Sequence, residues 1–354
     1  MFSTIQAKVN RKILQFKLLG IVLKNNLLKE RKQLEKPSVW FDLSVDYERY
    51  IYTLCKFFEL EGYQVYIKAD LRYLVKLTDQ FSKWMITEGE IIFSNKRPEK
   101  PVAAFSDRRS RPGDTKVISK DYFTTIFRKD VNSYHVPIGM HPFLYQSGLW
   151  NAKLTPVRRK QSVLFAGSFK GVYEEMTQHQ KFRMPNRLEL KNMLQSLPNT
   201  TFPKSYDELV QNSKDGQIDV VARSTFKVPQ EKLRQTISGY AFFIACPGFI
   251  MPQAHNVYEA LSAGAIPIIH RQYAQMFDPE LEDNKTAIIY EDNFTERIRQ
   301  ALGISPEQIQ FMLTQVDRYY NKHLTPKAII KRMIDPEKTT YFLNAEKNSV
   351  LLMK

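Results

Sequence analysis

Between Phe242 and Ile269 the sequence holds residue types whose order could do chemistry. The apolar run Phe242-Phe243-Ile244-Ala245 meets Cys246-Pro247-Gly248, and a polar turn continues to Asn256. Val257–Ser262 then has the spacing of a short helix, stopped near Gly264, before the run Ile266-Pro267-Ile268-Ile269. In a strand, turn, helix, strand unit of this kind, the N–H groups at the helix start have no intrahelical partner and point into the turn. Together with the helix dipole they favour an anion such as phosphate. Glu259 is expected on the first turn or so of that helix, where its carboxylate could accept two sugar hydroxyls, such as a ribose diol. The plain alternative for Glu259 is a helix-surface carboxylate that complements the dipole. Ala260, Ser262, Ala263 and Gly264 are small enough to let the helix pack closely on a sheet.

The elements that must position this unit are legible as two α/β series. Strands are expected at Val39–Leu43, Gln64–Ala69, Glu90–Phe93, Val102–Phe105 and Lys116–Ser119, with helices over 46–61 and from about Asp70. That β-α-β beginning favours a parallel sheet. After a turn-rich stretch at 136–142, strands are expected at Ser162–Ala166, Ile218–Ala222, Tyr240–Ala245, Ile266–His270 and Ala287–Tyr290. Helices are expected at Pro185–Leu197, Glu231–Ile237, Val257–Ser262 and about 293–302, with helices at 305–321 and 325–334 closing the chain. The expected fold class is α/β, two Rossmann-like domains facing across a cleft, with closing C-terminal helices. The expected parts are a basic N-terminal helix at 1–36, one α/β domain at 37–155, a second at 156–304, and helices at 305–354 packing back across both. Ligands of such sheets lie at the carboxyl ends of the strands.

A length of 354 residues suits two domains, and 43% hydrophobic residues supply their cores. Cys55 and Cys246, the only cysteines, lie far apart and can build neither a disulfide framework nor a cysteine zinc site. The six histidines form no compact ligand cluster, so neither a metal nor a cofactor is expected. The net charge of +15 points to a polyanionic partner. Residues 1–36 carry nine basic residues against two acidic ones, with Ile5, Val9, Ile13, Phe16, Leu23 and Leu27 at helical spacing. Such a helix can lie on an anionic bilayer, or simply pack on the protein with solvated lysines. A second basic zone, 94–129, includes Arg108, Arg109 and Arg111. No run approaches the roughly 18 apolar residues of a membrane-spanning helix, and no signal sequence is evident, so a cytoplasmic protein, peripheral at the inner face of a membrane, is expected.

The Glu-bearing, alanine-rich helix leading to Gly264-Ala265-Ile266-Pro267-Ile268-Ile269 resembles the donor-binding domain of GT-B glycosyltransferases, and within them the exostosin-like family. Phe165-Ala166-Gly167-Ser168, Phe277-Asp278-Pro279 and Ala287-Ile288-Ile289-Tyr290 fit the same pattern, so the resemblance covers about 160–300. It implies that Gly167 and Ser168 form a donor-facing loop, that Arg187 contacts phosphate, and that Glu259 binds the donor, with His255 and Asn256 beside it. Two positions depart from the family pattern. Met251 stands where retaining enzymes often carry a first glutamate, and Asn256 where an arginine is usual, so Arg187, Arg223 or Lys227 would neutralise the phosphates. An inverting enzyme of this kind needs a general base from the N-terminal domain. Asp42 and Asp46 are the first candidates, with Asp107 and His141 behind them.

The implied activity is metal-independent transfer of a sugar from a nucleotide-sugar donor to a glycan or lipid-linked acceptor, in surface polysaccharide biosynthesis. The alternative is a non-catalytic membrane-surface or nucleic-acid-binding protein that keeps the fold. Nucleic acid is not expected as a partner, because no binding motif and no aromatic interleaving of the basic residues is present.

Overall fold

The computed structural model describes residue 20 and residues 36–77, 79–127, 130–169 and 182–353. The basic helix expected over 1–36 lies outside the described residues, save Gly20 and Lys36. The chain divides into two compact units. One holds the described residues up to Val136 together with those from Pro326 onward, and the other is Pro137–Thr325.

In the first unit, β1 (Ser38–Asp42), β2 (Gln64–Lys68), β3 (Ile92–Ser94), β4 (Ala103–Ser106), β5 (Lys116–Ser119) and β6 (Ser133–His135) join β13 (Thr340–Phe342). They form one seven-stranded sheet in the order β3-β2-β1-β4-β5-β13-β6. Every pairing in it is parallel. Parallel strands are covered on both faces and read as apolar runs. Val39, Trp40 and Phe41 of β1 are accordingly all buried. The helix Arg49–Leu60 buries Ile51, Leu54, Cys55, Phe57 and Phe58, and the helix Pro326–Met333 packs against it.

The strand β13 departs from the purely helical C-terminal segment expected over 305–354. It is three residues long, too short for a periodic signal, and its partners β5 and β6 lie about two hundred positions earlier. Tyr341 at its centre is fully buried, with its ring edge-on to Phe105 and Tyr134. Lys116 Nζ donates to the carbonyls of Asp335 and Lys338, fixing the approach to the strand.

In the second unit, β7 (Lys160–Gly167), β8 (Thr200–Thr201), β9 (Ile218–Ala222), β10 (Tyr240–Ile244), β11 (Ile266–His270) and β12 (Ile288–Tyr290) form a six-stranded sheet. Its order is β12-β11-β10-β7-β9-β8, again with every pairing parallel. Leu164, Phe243, Ile237, Ala260 and Ala265 meet in its core with Tyr240. Two helix starts are well determined by their sequence. Asn186 caps Arg187–Gln195 in a capping box with Glu189, and Ser305 caps Pro306–His323. Gly264 ends the helix His255–Ser262 at a φ of +71°, where a side chain would be strained and would meet Arg159. Among the described residues no helix is long and apolar enough to cross a membrane.

The central place of β13 has a measurable consequence. Tyr341→Ala should lower unfolding stability by about 3–5 kcal/mol, the range for truncating a buried aromatic, as read from urea denaturation of the full chain. A loss within 0.5 kcal/mol, the range of a neutral surface change, would mean that β13 does not hold the sheet together.

Candidate functional site

In the six-stranded sheet β7 lies between β9 and β10. The chain leaves β7 toward β8 and β9, and leaves β10 toward β11 and β12. Connections that diverge from neighbouring strands leave a crevice at their carboxyl ends, the usual ligand position of an open parallel sheet. β7 ends at Gly167 and β10 at Ile244, so Gly167-Ser168 and the turn after Cys246 lie at that crevice.

The buried side chain of Arg187 links the two strand ends. It begins its helix, and its Nε donates to the carbonyl of Pro247 at 2.6 Å. A Cβ at Gly167 would come within 3.3 Å of Arg187 Nη1 and 2.9 Å of the Phe165 ring, so glycine is what admits the guanidinium here. Gly248 is equally constrained, because a Cβ there would lie 2.6 Å from the carbonyl oxygen of Met251. The thiol of Cys246 is buried and pushed up to about 12 by burial, an effect that Arg187 partly opposes. It is therefore a packing group and not a nucleophile.

Beside Gly167 is a cavity of 140 Å³, lined also by Arg223, Lys227, Gln230 and Phe226. The backbone N–H of Arg223 donates to the carbonyl of Gly167 at 2.8 Å. The side chains of Arg223 and Lys227 are exposed, and Ser168 is half-buried. The structure thus gathers four of the sequence-derived positions, Gly167, Arg187, Arg223 and Lys227, around one strand end. A larger cavity of 760 Å³ lies near the amino ends of β7 and β10, against the helix Pro306–His323. Its place on the sheet is opposite to the crevice, and it gathers none of these residues.

The helix after the turn is His255–Ser262, two residues longer at its start than the sequence implied. Among the described residues no side chain caps it. The side-chain oxygen of Asn256 is buried and takes no hydrogen bond from the described residues. An uncapped start and a buried acceptor together leave donors and an acceptor for a polar ligand. His255 Nδ1 lies 2.9 Å from the carbonyl oxygen of Gly139, and its ring is 5.5 Å from that of His141.

Glu259 differs from the expectation. It is on the second turn, with no acidic residue in the first, and it is buried rather than on the helix surface. Its Oε1 accepts the backbone N–H of His141 at 3.3 Å, and its carboxylate also takes a hydrogen bond from the Gln230 side chain. Burial pushes it up to about 7, against those hydrogen bonds and the charge of Arg234. Gln230 therefore joins the cavity beside Gly167 to the carboxylate of Glu259. Sequence reasoning missed it, although its place directly after Pro229, at a helix start, was a usable signal.

Of the base candidates, Asp42, Asp46 and Asp107 lie in the first unit, whereas His141 lies in the second, beside Glu259. Asp42 is ion-paired with Lys68 at 2.9 Å and with Arg108 at 2.5 Å, and Arg108 also pairs with Asp70. Both carboxylate oxygens of Asp42 are thus engaged by cations of its own unit. Asp107 accepts the backbone N–H groups of Ser44 and Val45, which makes it a loop anchor. Asp46 accepts the N–H of Glu48 and is raised by burial first, with Asp79 adding to it. Among the described residues no group of three or more His, Cys, Asp or Glu is placed to hold a metal.

No protein-family model matches the chain, and no curated protein matches it. Among solved structures it is similar to a glycosyltransferase from Rickettsia africae ESF-5, at 10% identity over 91% of this chain and 100% of that one, with a TM-score of 0.45. It is also similar to a sucrose-phosphate synthase from Thermosynechococcus elongatus, at 11% identity over 84% and 97%, with a TM-score of 0.40.

The buried carboxyl of Glu259 makes a pH-dependent prediction. Its folded value, about 7, lies above the ordinary 4.5, so between those pH values the folded protein holds a proton that the unfolded chain has released. Stability therefore falls as pH rises through that window, by about 3 kcal/mol for this group alone. Glu259→Gln keeps the shape and cannot ionise. Its melting temperature should gain on wild type from pH 4.5 to 7, and parallel curves would show that Glu259 is not desolvated.

Proposed function

We propose that the protein is a glycosyltransferase of GT-B type, with its nucleotide-sugar donor held by the Pro137–Thr325 unit. The observation that carries the reading is the meeting of Gly167, Arg187, Arg223 and Lys227 at the divergence of β7 and β10, with the uncapped start of His255–Ser262 at the same edge. When the bond from an anomeric carbon to a phosphate breaks, negative charge grows on the leaving oxygen. Cationic side chains and aligned N–H groups stabilise that charge where it develops. In this reading these groups do so in place of a metal ion. Arg187, fixed against Pro247, supplies a preorganised charge. The exposed Arg223 and Lys227 supply the charge that closes on the ligand.

Glu259 serves the donor together with Gln230. Its buried carboxylate orients the Gln230 amide, which lines the cavity, and through the N–H of His141 it fixes the turn against which His255 is placed. His255, Asn256 and Ser168 complete the donor surface. The exostosin-like resemblance supports this reading through the motif residues of 160–300. The acceptor is a glycan or lipid-linked precursor of a surface polysaccharide, and residues 1–36 bring the enzyme to an anionic membrane face.

The test is a thermal-shift screen of the full chain against UDP, GDP, CMP, ADP and their sugar conjugates, with and without magnesium. A ligand at about 100 times its Kd adds roughly 2.7 kcal/mol of stability, a clear rise in melting temperature. Stabilisation by one nucleotide class is expected, and no response to any of them would sink the proposal. Arg223→Ala and Lys227→Ala should each weaken that nucleotide by about ten- to a hundredfold, because each removes a hydrogen bond to a charged group worth about 1.5–3 kcal/mol. Unchanged affinity in both would move the phosphates elsewhere. Deleting residues 1–30 should release the protein from anionic vesicles, and retained binding would end the membrane assignment.

A further inference from the structure

The larger cavity of the Pro137–Thr325 unit shares no residue with the donor crevice, and its lining comes from that unit alone. It lies at the amino edge of the six-stranded sheet. Arg159 and Gln161 flank the first residue of β7, Ala241 is the second residue of β10, and Asp215 is in the turn before β9. The facing wall is one side of the helix Pro306–His323, where Pro306, Gln310, Leu313, Thr314 and Asp317 recur at spacings of three and four. The volume of 760 Å³ falls within the range of about 300–1,000 Å³ typical of small-molecule sites.

Two polar groups of the sheet-side wall are held in place by main chain. Gln161 Nε2 donates to the carbonyls of Leu302 and Ile304, each at 2.8 Å, which fixes the amide plane and leaves Oε1 to accept. Arg159 donates through Nη1 to the carbonyl of Tyr240 at 3.1 Å and through Nη2 to that of Ala263 at 2.6 Å. A guanidinium has five N–H groups, so donors remain on it. On the helix wall Thr314 Oγ1 donates to the Gln310 carbonyl, and its lone pairs remain to accept. Asn321 Nδ2 donates to Asp317 Oδ1 at 3.1 Å, and the second carboxylate oxygen takes no hydrogen bond from the described residues. Polar groups fixed before a ligand arrives lower the entropic cost of binding it.

Charge and polarity select the ligand. The lining carries two guanidiniums, Arg158 and Arg159, and two carboxylates, Asp215 and Asp317, so its formal charge cancels. Arg158 and Asp215 already pair with each other at 2.7 Å. An anion would gain the guanidiniums and face both carboxylates, and a cation would meet the reverse. The lining instead offers donors and acceptors in one space, and a hydroxyl group uses both at once. Ala241, Ile309 and Leu313 add apolar area suited to C–H groups. An uncharged molecule with many hydroxyls and apolar C–H faces is a sugar chain. We propose that this cavity binds a neutral oligosaccharide, with Arg159, Gln161, Gln310 and Asp317 hydrogen-bonded to its hydroxyls. The site holds a glycan and performs no reaction on it. The inference goes beyond the glycosyl-transfer reading and does not rest on it, because cavity and crevice are at opposite edges of one sheet.

The experiment titrates the full chain with maltotetraose, cellotetraose, mannotetraose and tetra-N-acetylchitotetraose, read by calorimetry. Inorganic phosphate and a sulfated tetrasaccharide serve as anionic probes. At least one neutral chain should bind with a Kd in the millimolar range or tighter. Gln310→Ala should weaken it about two- to tenfold, and Asp317→Ala, which removes a charged acceptor, about ten- to a hundredfold. Both side chains are exposed, so neither substitution disturbs the core. Arg223→Ala, at the carboxyl edge of the sheet, should leave the glycan Kd unchanged. Failure of every neutral chain to bind, tighter binding of either anionic probe, unchanged affinity in both helix variants, or loss of affinity in Arg223→Ala would each overturn the assignment. Nucleotide binding, followed by thermal shift on the same samples, reports on the donor crevice separately, so the failure of one site is distinct from the failure of the other.

Discussion

Where β7 pairs with β10, the connections of the six-stranded sheet run off in opposite directions, and the crevice this leaves is bridged by one guanidinium. The Arg187 contact to the Pro247 carbonyl joins a helix start, a strand end and a turn that are separated by sixty positions in sequence. Its place demands a glycine at 167, where a side chain would press on both the guanidinium and the Phe165 ring. The polar turn that follows demands another at 248, because its carbonyls fold back over that residue. The position of the charge and the close fit at Gly167 both follow from the way this arginine is seated.

Carboxyls raised above their ordinary range occur in both units, and their environments differ. Glu259 is surrounded by donors, the N–H of His141 and the Gln230 side chain, with Arg234 nearby, and these moderate the effect of burial. Glu48 faces other carboxyls, with only Arg49 in opposition, and its titration is carried further from the ordinary range. A carboxyl among donors is suited to holding backbone and amides in place. A carboxyl beside another carboxyl is held toward its neutral form by the neighbouring like charge.

Much of this architecture was legible in the sequence because fully covered parallel strands read as unbroken apolar runs. β9 and β11 lie where those runs placed them, and β10 is one residue shorter than expected. β6, β8 and β13 were not legible, since two or three residues carry no period and their order comes from distant partners. The same limit applied to side chains. Glu259 has the right residue type at a plausible spacing, but its burial depends on His141, more than a hundred positions away. Asp42 read as a candidate base, and its ion pairs were not legible because Lys68 and Arg108 come from positions far along the chain. Glu48 and Glu346, whose side chains are hydrogen-bonded to each other, lie almost three hundred positions apart, so no local pattern could have paired them.

The placement of β13 also bears on how the chain is completed during synthesis. Among the described residues β6 pairs with β13 alone, and β13 occupies the slot between it and β5. All strands of the six-stranded sheet are translated before residue 340, so that sheet can close before β13 is made. The first unit, although begun earlier, has a gap in its sheet and an unpaired β6 until the last strand emerges. The unit encoded first is therefore completed last, and its unfilled slot is an exposed strand edge for the whole of that interval.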